Sequence, residues 1–271
     1  MSIFNFRSLL FQKSKYNILE TLKKEGDFIM KKTLLTLALL SSGLVFAAGP
    51  KVPYTHEGFK TTDQVQKAIH FVSVDDIRKS LEGTGPINVS FDIDDTLVHS
   101  SGYFKYGQDH FQVPGDPKGA ISYLYNQKFW DFVSDMGDEF SIPKQSAIDL
   151  IKMHIDRGDR VFFITGRTQK EGEPNYTSTK LSKTLKRFMN LPYEVYVEYT
   201  KDTPTGGYKY DKSFYMKKHN ISLHYGDSDD DILAARELGI RGIRVQRAYN
   251  STNPQKVNGG YGEEVLINSA W

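Results

Sequence analysis

The chain has 271 residues, 35 of them basic and 33 acidic, and it contains no cysteine. That length suits one large domain or two small ones. The missing cysteine excludes disulfides, thiolate metal sites, a cysteine nucleophile and a lipid-modified N-terminal cysteine. The near balance of charge gives no reason to expect a nucleic-acid polymer as a partner.

Taken in order, residues 1–29 read as a dispensable or non-native extension, with Met30 as the initiator. Met30-Lys31-Lys32, the apolar run Thr33 to Phe46 and the small residues Ala47-Ala48 form the three parts of an export signal, residues 30–47, cut near Ala47-Ala48. The apolar run is short for a membrane span, and no later run is long enough to cross one. Removing residues 1–47 leaves 28 basic and 30 acidic residues, so the slight excess of positive charge belongs to the leader. A periplasmic, soluble mature protein is therefore expected. Residues 48–70, polar and broken by Pro53 and Gly58, read as an arm that needs another surface to order it.

The remainder, residues 71–271, reads as one domain. Ser73 to Leu81 predicts a short helix, with Ser73 as its cap and Asp75 and Asp76 in its first turn. Ile87 to Phe91 predicts the first strand. Residues 99–140 are dense in aromatics and are interrupted around Pro114-Gly115-Asp116-Pro117; they form either ordinary packing or an aromatic wall over a site. Ser141 and Pro143 open a helix with Ala147, Ile148, Ile151 and Ile155 on one face, ended by Gly158. Arg160 to Ile164 is an almost unbroken apolar run, as a strand covered on both faces should be. A helix through Leu181, Leu185, Phe188 and Met189, and a strand over Tyr193 to Val197, come next. Lys212 to His219 predicts a short helix, Ile221 to Tyr225 a fourth strand, and Gly242 to Val245 a fifth, after a helix closed by Gly239. Strands alternating with helices predict an α/β doubly wound parallel sheet, with ligands beyond the carboxyl ends of its strands.

Acidic and hydroxyl residues gather at those ends. Phe91-Asp92-Ile93-Asp94-Asp95-Thr96 follows the first strand. In extended chain, Asp92 and Asp94 point to one side, where their repulsion would raise at least one pKa unless a cation lies between them. Mg²⁺ suits such oxygen ligands. Thr165-Gly166-Arg167 follows the second strand, and Gly226-Asp227-Ser228-Asp229-Asp230-Asp231 the fourth. Each has a plainer reading: an Asp-rich turn, a strand-to-loop turn, a solvated lysine at Lys212, an acidic helix start at Asp227 to Asp231, and an Arg167 that pairs with an acidic neighbour. There is no glycine-rich phosphate fingerprint, zinc-binding histidine pair or serine elbow.

Asp92/Asp94, Thr165-Gly166, Lys212 and Asp227/Asp231, in that order, resemble the haloacid dehalogenase superfamily of phosphohydrolases. With the Gly-Asp-Ser-Asp run, the Thr-Gly-Arg triplet and the signal peptide, the resemblance narrows to bacterial class B acid phosphatases, from about residue 70 to Trp271. It implies a haloacid dehalogenase-like sheet with a small aromatic-rich cap, about 99–140. Asp92 would then be the nucleophile, giving an aspartyl-phosphate, and Asp94 the acid and base for the leaving oxygen and the water. Mg²⁺ would be held by Asp92, Asp227 and the carbonyl of Asp94, with Asp231 helping directly or through water. Thr165, Gly166 and Lys212 would bind phosphoryl oxygens, with Arg167 beside them. Phe104, Tyr123, Leu124 and Trp130 would line a leaving-group pocket, although Asn253 stands where a further aromatic is expected. The polar segment between Thr168 and Thr179 and the loop at Val113 to Gly119 look inserted and could edit the mouth. The resemblance further implies small phosphomonoesters as substrates, transfer of phosphate to alcohols, and a homotetramer. The rival readings are a class C acid phosphatase, whose lipoprotein members need an N-terminal cysteine, and a phosphate- or nucleotide-binding protein without catalysis, which would not require both Asp92 and Asp94.

Overall fold

The central strand is β2, Asn88–Phe91, whose Val89, Ser90 and Phe91 are all buried. It is paired in parallel on both sides, with β5 (Arg160–Thr165) and β7 (Ile221–Gly226). In this computed structural model the described residues are 70–173, 179–253 and 259–271, so the expected leader and most of the expected arm lie outside them. Beyond β5 lies β6 (Tyr196–Tyr199). Beyond β7 lie β8 (Arg241–Arg244), β9 (Glu264–Leu266) and β1 (His70–Val72), giving the order β1-β9-β8-β7-β2-β5-β6, parallel throughout.

Alternate side chains of β5 explain the layers. Val161 and Phe163 join one core with Ile77 of α1 (Val74–Ser80), Leu150 and Ile151 of α4 (Gln145–Asp156) and Leu181 and Leu185 of α5 (Lys180–Phe188). Phe162 and Ile164 face the other way, onto Met216 of α6 (Ser213–Lys218) and Ala234 of α7 (Asp229–Glu237). A period of two on a strand covered on both faces gives the doubly wound sheet. Among the described residues no helix is long and apolar enough to cross a membrane.

The sequence pattern predicts five strands where the sheet has seven. The extra pair, β1 and β9, are three residues each, and β9 opens on buried Glu264, which Arg241 of β8 holds through two 2.7 Å hydrogen bonds. A charged residue inside a short strand erases the apolar signal. Glu198 has the same effect in β6, which runs later than the expected Tyr193 to Val197. Glu198 is fully buried and accepts hydrogen bonds from Lys218 at 2.8 Å and His219 at 2.6 Å. The helix expected to open at Ser141 and Pro143 starts instead at Gln145, because Ile142–Pro143 form β4, antiparallel to β3 (Val98–His99). Proline is tolerated on such an edge.

That two-stranded pair marks the feet of the cap. Between β3 and β4 lie α2 (Ser101–His110), α3 (Gln127–Asp135) and 3-10 turns at Gly119–Tyr125 and Gly137–Phe140. Tyr103, Tyr123, Phe129, Trp130 and Val133 are buried together there, with Phe104 and Leu124 packed against them. Gly107 permits this packing, since any side chain at that position would collide with the rings of Phe129 and Tyr123. Trp130 donates its indole N–H to the Leu124 carbonyl at 2.7 Å, which satisfies the one polar atom of a buried indole.

Candidate active site

Three strand ends converge. Asp92 continues β2, its N–H donating to the Tyr225 carbonyl at 2.8 Å. The chain reverses at Asp95, whose φ is +56°, and Asp95 then accepts from Ser251 at 2.6 Å. Thr165 ends β5, and Asp227 follows β7. A cavity of about 170 Å³ opens between them, lined by Asp92, Asp94, Thr165, Gly166, Arg167, Lys212 and Asp227 on one side and by Phe104, Tyr123, Leu124 and Trp130 on the other. Asn253 lines it too. Of the predicted site residues only Asp231 stays beneath the surface, fully buried.

Asp92 and Asp94 each have their own cation. Lys212, the residue preceding α6, places Nζ 2.5 Å from Asp92 Oδ1 and 2.5 Å from Asp231 Oδ1. Arg167 grips Asp94 with two 2.8 Å hydrogen bonds and reaches Asp138 at 2.7 Å. The guanidinium is 3% exposed, so the alternative of pairing with an acidic neighbour describes its place. Burial pushes the Asp94 carboxyl up, but the charge and hydrogen bonds of Arg167 outweigh it and hold it below the usual range. Asp92 goes the other way: burial raises it well above that range, and crowding by Asp231, Asp227 and Asp94 adds to the rise against the pull of Lys212.

The third carboxylate, Asp227, accepts from Thr96 Oγ1 at 2.9 Å and from Arg247 Nε. Oxygens of Asp92, Asp227 and Asp231 lie within 4.8 Å of one another. The three are buried carboxylates, with Lys212 on Asp92 and Asp231 and Arg247 on Asp227, and their donors are hard oxygens. A divalent cation such as Mg²⁺ fits this set. Asp231 is fixed from two directions. Its Oδ2 caps α7 by accepting from the Ser228 N–H at 3.0 Å and the Ser228 hydroxyl at 2.7 Å, while its Oδ1 faces Lys212 and His224 Nε2, at 3.1 Å. Asp231 therefore stands at a helix start and also within reach of Asp92 and Asp227.

Sequence reasoning did not single out Lys144, Asp138, Asp202 or Arg247. Lys144 is 1% exposed and ties the loop after β2 to the loop before Arg247, donating to the carbonyls of Asp95 and Gln246 at 2.7 Å each. Burial lowers it to about 8. No local motif marks an isolated lysine or arginine whose partners lie 20, 49 or 102 residues away.

A buried carboxylate at the end of the central strand, a lysine beside it and an acidic trio make a phosphohydrolase-like site on a haloacid dehalogenase-type sheet. Residues 50–254 match the family model described as HAD superfamily, subfamily IIIB (acid phosphatase). A class B acid phosphatase of Haemophilus influenzae is 48% identical over 242 residues, covering 88% of this chain and 98% of its own. One of Aggregatibacter actinomycetemcomitans is 43% identical over 247 residues, covering 90% and 99%. Among solved structures, CbbY from Rhodobacter sphaeroides in complex with phosphate aligns at 14% identity and a TM-score of 0.44, covering 68% of this chain and 95% of that one. This last likeness is too distant to carry an inference. The chain belongs to the class B acid phosphatases of the haloacid dehalogenase superfamily, and its reaction is the hydrolysis of phosphate monoesters.

Proposed function

We propose that the chain is a Mg²⁺-dependent acid phosphatase acting through a phosphorylated Asp92. The observation that carries this reading is the pairing at the end of β2, where Asp92 shares Lys212 with Asp231 at 2.5 Å while Asp94 is held apart by Arg167. Asp92, Asp227 and the Asp94 carbonyl would hold the metal, with Asp231 in support. When bound, the cation supplies positive charge that favours an ionised Asp92 and offsets the charge of the phosphoryl group.

Asp92 attacks phosphorus, the ester P–O bond breaks, and the leaving oxygen takes a proton from Asp94. Water then attacks the aspartyl-phosphate, gives a proton to Asp94, and leaves as phosphate with Asp92 restored. Arg167 keeps Asp94 ionised at rest, so Asp94 must first pick up a proton. The approach of a phosphoryl dianion raises its pKa and favours that uptake. Thr165 Oγ, the Gly166 N–H and Lys212 Nζ bind the phosphoryl oxygens, where charge must be stabilised.

Phe104 and Trp130, at the opposite wall of the cavity, favour nucleotides and aryl phosphates over small aliphatic ones, with sugar phosphates also accepted. An alcohol in place of water would give phosphate transfer. The export signal at 30–47 places the mature protein in the periplasm, and a homotetramer would give the arm at 48–70 a surface. N-terminal sequencing of periplasmic protein checks the leader; a start upstream of Met30 would sink that part.

The test of the chemistry is phosphate release by purified mature protein across a panel of monoesters. Exhaustive chelation should abolish it and added Mg²⁺ restore it. Full activity after chelation would overturn the mechanism.

A further inference from the structure

Asp202, in the loop after β6, brings a further carboxylate to the wall of the same cavity. The residue as a whole is exposed, but its carboxyl turns inward onto Gly166. A methyl group built on Gly166 would overlap Asp202 Oδ1 and stand 3.0 Å from its Cγ. The backbone enforces this aim. Lys201 and Asp202 have φ of +57° and +46°, a left-handed region that non-glycine residues avoid. Three hydrogen bonds pin the turn: Thr200 N to Thr165 O at 2.9 Å, Lys201 N to Arg167 O at 3.3 Å, and Asp202 N to Thr200 Oγ1 at 3.2 Å. The loop is thus hung on the residues flanking Gly166, and the mechanism above makes no use of its carboxylate.

We propose that Asp202 is a specificity-determining residue that competes with the phosphoryl group of the substrate for the anion position at Gly166 and yields that position in acid. This rests on the reading of Thr165, Gly166 and Lys212 as the phosphoryl-binding groups. An ionised carboxylate there repels an incoming dianion, whereas a protonated one can donate a hydrogen bond to a phosphoryl oxygen. The charged groups facing it are Asp94 from the end of β2, Asp211 and Lys212 ahead of α6, and Asp230 in α7. Burial, then the charge of Asp211, push Asp202 up to about 6, against Lys212. It is neutral below that pH and charged above it, so its penalty on phosphate binding appears as pH rises through about 6.

The experiment compares competitive inhibition by inorganic phosphate in the Mg²⁺-loaded wild type, Asp202→Asn and Thr165→Ala between about pH 5 and pH 8. Taking the ratio of wild type to variant at each pH cancels the ionisation of phosphate itself, which also falls in this range. For Asp202→Asn the ratio of inhibition constants should stay near one in acid and rise about five- to tenfold by neutral pH. Asp202→Gly, which suits the left-handed backbone, should give the same trend. A ratio flat with pH in both variants, or weaker phosphate binding at neutral pH, overturns the inference. If Thr165→Ala weakens phosphate while the Asp202 ratio stays flat, only this inference fails. If Thr165→Ala changes nothing, the phosphoryl-binding reading fails with it.

Discussion

The strand-end rim and the cap face each other across one cavity and are built by opposite means. At the ends of β2, β5 and β7, buried charges are held in fixed pairs: Lys212 between Asp92 and Asp231, Arg167 between Asp94 and Asp138, Thr96 and Arg247 on Asp227. The cap contributes rings packed on rings, such as Phe129 against Trp130 with centroids 4.8 Å apart and Tyr123 against Phe129 at 5.0 Å. Buried ion pairs are weak sources of stability, since desolvation offsets much of their attraction. Ring packing stabilises without fixing charge. The rim thus holds chemistry at a cost in stability, and the cap offers shape and apolar surface at little such cost. Substitutions in the two regions should fail in different ways.

The largest effect is expected in the rim. Asp92→Asn keeps the shape of the side chain and removes the proposed nucleophile, so phosphate release should fall by about 10⁴- to 10⁶-fold, the range for losing one member of a catalytic triad. The melting temperature should hold or rise, because a buried carboxylate is removed. Wild-type rates from this variant would make the assignment of Asp92 untenable.

The cap should respond more mildly and selectively. Phe104 is half-buried at the cavity wall, so Phe104→Ala should weaken nucleotides and aryl phosphates by about ten- to a hundredfold, as expected for losing one stacking contact of about 1–3 kcal/mol. Small aliphatic phosphates should change little. Trp130 is 4% exposed, and Trp130→Ala should in addition cost about 3–5 kcal/mol of stability. Kinetics on both substrate classes and thermal melts separate the two. If Phe104→Ala depresses both classes equally and lowers the melting temperature, the cap is packing only.

The smallest effect is expected at the seam. Tyr103 belongs to the aromatic cluster, yet its hydroxyl donates to Asp94 and accepts from Arg167 at 2.7 Å. Arg167 still grips Asp94 in Tyr103→Phe, so the loss should be about 1 kcal/mol, a severalfold drop in kcat. That drop should be steeper for poor leaving groups if Asp94 is the proton donor proposed above. Equal drops across a leaving-group series would remove Tyr103 from the chemistry.

Much of this was legible from the chain alone. The apolar runs Ile87 to Phe91, Arg160 to Ile164 and Ile221 to Tyr225 are strands buried on both faces, and each announces itself without its neighbours. The acidic and hydroxyl residues immediately after them follow from the rule that sites form at strand carboxyl ends, which brought Asp92, Asp94, Thr165 and Asp227 to one cavity. The gaps arise where a residue's meaning depends on a distant partner. β9 was hidden because Glu264 is unreadable as a strand residue until Arg241 stands beside it, and Glu198 blurred β6 until Lys218 and His219 were in place. In the site, spacing placed Asp92 and Asp94 together but not the cations that separate their behaviour. Lys144 Nζ meets the Asp95 carbonyl 49 positions away, and Arg247 meets Asp227 only after β8 has crossed back. Local periodicity and strand ends are properties of neighbouring residues, so the sequence determined them by itself. Which charge neutralises which is decided by crossovers that bring distant residues within about 3 Å, where a buried hydrogen bond or ion pair becomes possible, and only the tertiary structure makes those choices.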